Sequence, residues 1–140
     1  ASPNLTAEHT HQIVTWCPGV RLPRILYGAL MSIEVPIDEL LDQVEDWGWC
    51  YLATVSDDGR AHLLALRPVV ADGTLHFEVG TGRARRNATA RPDVALVFPP
   101  RVDATEHQGY SLVVDGRAEG VADPIIAVTP TSAVLHRPAP

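Results

Sequence analysis

Lysine is absent from this 140-residue chain: all 11 basic residues are arginine, set against 17 Asp and Glu for a formal net charge of -6. A binder of duplex nucleic acid needs a broad basic surface, so the acidic balance argues against DNA or RNA as the main partner. Long apolar runs are missing too. The stretch from Ile25 to Ile33 is too short to span a bilayer and lacks the basic start of a secretory signal. Cysteine is scarce, and Cys17 and Cys50 lie too far apart for a C-x-x-C pair, so both are read as free thiols in a reducing cytoplasm. The six histidines share no ligand spacing, and His9-x-His11 lacks a third ligand, so no metal site is implied. No G-x-S-x-G, H-E-x-x-H, Walker-type or G-x-G-x-x-G stretch occurs. With no protein-borne nucleophile, acid or base in view, any chemistry would have to come from a bound cofactor.

Methionine occurs once, at Met31. Residues 1–30 show no periodicity and contain His9-Thr10-His11, Pro18-Gly19 and Pro23, so they are read as an N-terminal arm or extension, with the compact domain at 31–140. A content of 46% hydrophobic residues fits one core. From Pro36 to Trp47 the apolar positions Ile37, Leu40, Leu41, Val44 and Trp47 follow a helical period, with acidic residues on the other face. Beyond Gly48 the period becomes two. Trp49–Ser56 and Ala61–Val70 read as strands joined by the turn Asp57-Asp58-Gly59-Arg60, with Pro68 forcing a bulge, a bend or an edge. Tyr110–Ala118 is a further strand that bulges at Gly116, and Ile125–Thr129 with Ala133–His136 supply one or two last strands. The pattern is mainly β: about six antiparallel strands in a small barrel or sandwich, with two short helices.

The other elements are arranged around Thr74 to Phe98. Thr74–Val79 alternates as a strand, Gly80-Thr81-Gly82 breaks it, and a short helix follows, capped by Thr81 or Gly82 and stopped by Pro92. Arg83, Arg85, Arg86 and Arg91 put four of the 11 cations within nine residues. A glycine turn feeding a basic helix N-terminus offers free N–H groups and positive charge to a phosphate or carboxylate. The plainer alternative is a solvated helix face. His62 and Arg67 stand out in the apolar Ala61–Val70 run, and Arg67 is the costlier to bury without an anion.

The order of these pieces resembles the pyridoxamine 5'-phosphate oxidase-like family of flavin- and deazaflavin-binding split barrels. The resemblance covers about two-thirds of the chain, Met31 to Asp123: W-C-Y-L-A-T-V-S-D-D-G-R, L-A-L-R-P, D-G-T-L-H-F with G-R-A-R-R-N-A, R-P-D-V-A-L-V-F, and Y-S-L-V-V-D-G-R-A. It implies a six-stranded antiparallel split β-barrel that forms a homodimer with its cofactor at the subunit interface. It further implies a cytoplasmic oxidoreductase that uses FMN or coenzyme F-420 to reduce a small conjugated substrate, or else a carrier of such a ligand. Carried over by position, the cofactor contacts are His62, Leu64, Ala65 and Arg67 on the second strand, Phe77 and Glu78 on the third, and Gly82 and Arg83 at the helix start. Ala84 stands where the family often has lysine, with Arg85 and Arg86 as possible replacements, and Glu78 stands where a small polar residue is common. The chain ends V-L-H-R-P-A-P, without the segments of the vitamin oxidases.

Overall fold

A computed structural model describes residues 31–80, 82–102 and 106–139, so the expected arm, Cys17, the His9–His11 pair and Thr81 lie outside the described residues. The elements run β1 (Ser32–Glu34), α1 (Ile37–Gln43), a 3₁₀ turn (Val44–Trp47), β2 (Cys50–Val55), β3 (Ala61–Leu66), β4 (Val69–Ala71) and β5 (Thr74–Glu78). They continue through α2 (Gly82–Ala90), β6 (Asp93–Phe98), β7 (Ser111–Ala122) and β8 (Ile125–His136). All the pairings are antiparallel, in the order β3-β2-β6-β7-β8-β5-β4, with β1 added to β8, and the sheet curls into a half-barrel.

The mainly β class holds, but the described residues form eight strands and not six. The expected Ala61–Val70 strand is cut at Arg67-Pro68, because proline has no N–H to give a ladder. Its halves become β3, which pairs with β2, and β4, which pairs with β5. These are the two ends of the sheet order, so the half-barrel has a seam where consecutive strands are joined covalently but not by a ladder. The short β1 was not anticipated. The two last strands fuse into β8 because a bulge absorbs Pro130: the register passes from Asp115↔Ser132 to Gly116↔Pro130, which leaves Thr131 over. A β-carbon on Gly116 would lie 2.6 Å from the Val128 side chain and 2.9 Å from the Thr129 carbonyl, so this bulge needs glycine.

Turn chemistry follows the sequence. Asp72 and Gly73 both take positive φ, 53° and 76°, which suits the two-residue link between β4 and β5. Gly48 ends the 3₁₀ turn at φ 86°. The inward faces of β2, β5, β6, β7 and β8 supply Leu52, Leu75, Phe77, Leu96, Phe98, Leu112, Val114, Ile126 and Val128, all essentially without solvent exposure. One end of this core is covered by Leu40, Val44 and Trp47, and α2 seals it with Ala84 and Ala88.

Candidate functional site

The helix α2 docks through small residues at i, i+3 and i+4: Ala84, Asn87 and Ala88 are all buried. Asn87 donates its side-chain amide to the buried Thr54 hydroxyl on β2 at 3.1 Å. Just past the helix, Arg91 donates from Nε to the Val55 carbonyl at 2.8 Å and pairs with Asp57 at 2.6 Å. These contacts fix which way the other arginines point.

Ala84 faces the core with 1% exposure, so a side chain there cannot serve a ligand outside the barrel. The cations flank it instead. Arg83 is on the side of the β2–β3 hairpin. There the Ser56 hydroxyl, the Arg60 backbone N–H and, in smaller part, the Arg83 charge hold the Asp58 carboxyl below its ordinary range. Arg85 and Arg86 lie on the other flank and fold back over the first turn. A β-carbon on Gly82 would meet an Arg86 guanidinium nitrogen at 3.1 Å and an Arg85 nitrogen at 3.7 Å. Arg85 is tied down by the Val79 carbonyl at 2.7 Å and Asp123 at 3.4 Å. Arg86 is exposed and forms no ion pair among the described residues. Beside them opens a groove of about 500 Å³ lined by Gly82, Arg85, Arg86, Thr89, Val121 and Asp123.

The other candidate residues line the seam. On β3, His62 and Leu64 are half-buried on the inward face, opposite Thr54 and Leu52, while Ala65 is exposed on the outer face opposite Tyr51. The Nδ1 atom of His62 is buried and has no hydrogen-bond partner among the described residues. Arg67, one step beyond β3, lies five residues from His62, about 17 Å at the rise of a strand, so it is not part of the α2 cluster. Its guanidinium approaches Gly48, within 3.7 Å of where a β-carbon would stand. On β5, the Phe77 side chain is fully buried and Glu78 is exposed without an ion pair among the described residues. Since β4 reaches only to His76 of β5, the backbone edge at Phe77 and Glu78 runs past it.

No family model matches the chain. An uncharacterised protein of Mycobacterium bovis and one of Mycobacterium tuberculosis are each 36% identical over 121 residues, spanning 76% of this chain and 82% of theirs. Among solved structures, HupZ of Group A Streptococcus superposes with a TM-score of 0.56 at 16% identity, over 75% of this chain and 97% of its own. A candidate pyridoxamine 5'-phosphate oxidase of Corynebacterium glutamicum gives 0.54 at 14% identity, over 79% and 97%. An FAD-binding protein of Mycobacterium smegmatis gives 0.52 at 21% identity, over 74% and 98%. The chain belongs to one family with the mycobacterial proteins, and its fold is the pyridoxamine 5'-phosphate oxidase-like split barrel.

Within that split barrel, three features of the site were not singled out from the sequence. Asn87 was legible as a polar residue on the small-residue face of α2. Val121 and Asp123 line the groove because β7 and β8 extend together to the Asp123-Pro124 turn, and the bulge that permits this extension hides their register in the sequence. Cys50 is fully buried, and burial pushes its thiol up to about 12, as fits a packed residue and not a nucleophile.

Proposed function

We propose that this split barrel is a homodimeric FMN- or deazaflavin-binding oxidoreductase that reduces a small conjugated substrate. The observation that supports it best is the pair of guanidinium groups folded over the bare Cα of Gly82 at the start of α2. Free N–H groups, a helix dipole and the unpaired Arg86 suit a phosphate, and a bulkier residue at 82 would meet both arginines. The adjoining groove falls within the roughly 300–1,000 Å³ typical of small-molecule sites.

In this reading the phosphate lies at the first turn of α2, with Arg83 on one flank and Arg85 and Arg86 on the other. The ring system lies along the seam, against His62, Leu64 and Ala65 of β3 and the free backbone edge at Phe77 and Glu78, with Arg67 toward its far end. The unpartnered His62 Nδ1 gives that edge a polar contact to offer. A bound flavin or deazaflavin would supply hydride transfer, while the protein binds, orients and keeps water from one ring face. The second subunit is assigned to the outer sheet face. Tyr51, Val55 and Leu63 are exposed there beside Ala53, Ala65 and Val97, where an antiparallel sheet that faced water would alternate polar residues.

Titration with FMN and, separately, with coenzyme F-420, followed by ligand fluorescence, tests the cofactor. Saturable binding at micromolar concentration or below is expected for one of them. Joint replacement of Arg83 and Arg86 by alanine should weaken it about tenfold or more, since a charged hydrogen bond contributes roughly 1.5–3 kcal/mol. Failure of both ligands to bind would remove the cofactor reading. A carrier without turnover is the second reading, favoured by Glu78, whose unpaired carboxylate on the β5 edge opposes a neighbouring anion. Bleaching of the bound cofactor's visible band by NADPH would decide for the enzyme.

A further inference from the structure

We infer that the end of the barrel around Gly48, remote from α2, seats a small carboxylate against the edge of the stacked Trp47 and Arg101 side chains. Continuing the β2–β6 register past Cys50 and Phe98 brings the Pro99-Pro100-Arg101 segment alongside Trp47-Gly48-Trp49. There the Arg101 guanidinium stacks over the Trp47 ring, 4.3 Å from its centroid. Two donors in this stack, Trp47 Nε1 and Arg101 Nε, are buried and have no acceptor among the described residues. Buried polar groups are nearly always hydrogen-bonded, so two orphaned N–H groups in one contact point to a missing acceptor.

The charge balance says what kind. Ion pairs among the described residues join Arg60, Arg85, Arg91 and Arg117 to aspartates, and Arg101 is in none of them. On the 3₁₀ turn, the Glu45 carboxylate accepts the Val70 N–H at 2.8 Å and forms no ion pair with Arg101. A second guanidinium without an ion pair among the described residues, that of Arg67, reaches to Gly48. A bridging water would satisfy the N–H groups but leave a half-buried cation without a counter-charge. A carboxylate does both, offering one oxygen to the indole and one to the guanidinium. A compact monoanion fits better than a dianion, which costs more to desolvate.

The site does not depend on the cofactor reading, and its test uses none. The full chain, labelled with ¹⁵N, would be titrated with sodium formate and with sodium benzoate against sodium chloride at equal ionic strength. Trp47→Phe, or Trp49→Phe and Trp16→Phe if that variant does not fold, assigns the indole resonances. A saturable shift of the Trp47 indole N–H with formate or benzoate but not chloride is expected. Arg101→Gln should weaken it about tenfold or more. A Trp47 indole signal that neither carboxylate moves would overturn the proposal, as would an unchanged titration in Arg101→Gln. An equal response to inorganic phosphate would overturn the carboxylate assignment.

Discussion

At Cys50 a single thiol reports on the barrel interior. Its proton is held to about pH 12 by burial, whereas in the unfolded chain it leaves near 9, so the folded state binds that proton more tightly. The resulting stabilisation is complete below pH 9 and is lost as pH rises toward 12. Urea midpoints of the wild type and Cys50→Ala, measured from pH 8 to 11, should therefore differ in slope, with the wild type falling faster. Asn87 and Thr54 make the second residue-scale case. Asn87→Ala leaves a buried hydroxyl without its donor and should cost about 1–3 kcal/mol in denaturant unfolding. Gly116→Ala forces contacts of 2.6 and 2.9 Å against Val128 and Thr129 and should cost a similar amount, roughly 1–3 kcal/mol, by the same measurement. The sequence marked Gly116 as a bulge but could not mark Ala84. Its place on the core side of α2 becomes visible only once the helix is docked.

Among the elements, α2 shows how far pattern reading extends. The glycine start, the arginines and the proline stop were legible because helix termini have local signatures. Which arginines flank the N-terminus was not, because that depends on the partners that hold Arg85 and Arg91. The division of Ala61–Val70 into two edge strands was half legible: Pro68 forbade a continuous ladder, but the choice between bulge, bend and edge is made by β2 and β5 competing for the two halves. Arg91 clasps the end of α2 to the β2–β3 hairpin. Arg91→Ala should lower stability by only about 1 kcal/mol, since Asp57 is almost fully exposed and the lost bond is mainly that to Val55. Hydrogen exchange should quicken in the last turn of α2 and in the β2–β3 hairpin while the β7–β8 ladder stays protected.

For the whole molecule, the antiparallel barrel class followed from turn spacing and period-two alternation. The strand count did not, because Arg67-Pro68 divides one expected strand into β3 and β4, and because β1 is three residues long and exists only through its pairing with β8. No helix among the described residues is long and apolar enough to cross a membrane. The proposed dimer is a whole-molecule matter. Leu63, 58% exposed on the outer face of an edge strand, can take a charge without disturbing the core. Leu63→Asp should keep its circular dichroism spectrum and sediment as a monomer where the wild type sediments as a dimer. A wild type that is already monomeric would remove the interface.

The two edge strands are consecutive in the chain, tethered by Arg67-Pro68 alone. The molecule is in effect a purse whose clasp is a two-residue link, with no ladder between its lips. A nick between Arg67 and Pro68 would leave all eight strands paired as they are, yet remove the tether that sets how wide the mouth can open. Widening there would break no backbone hydrogen bond between the described strands, and its cost would fall on side-chain packing of Leu64, Leu66 and Val70 against the core.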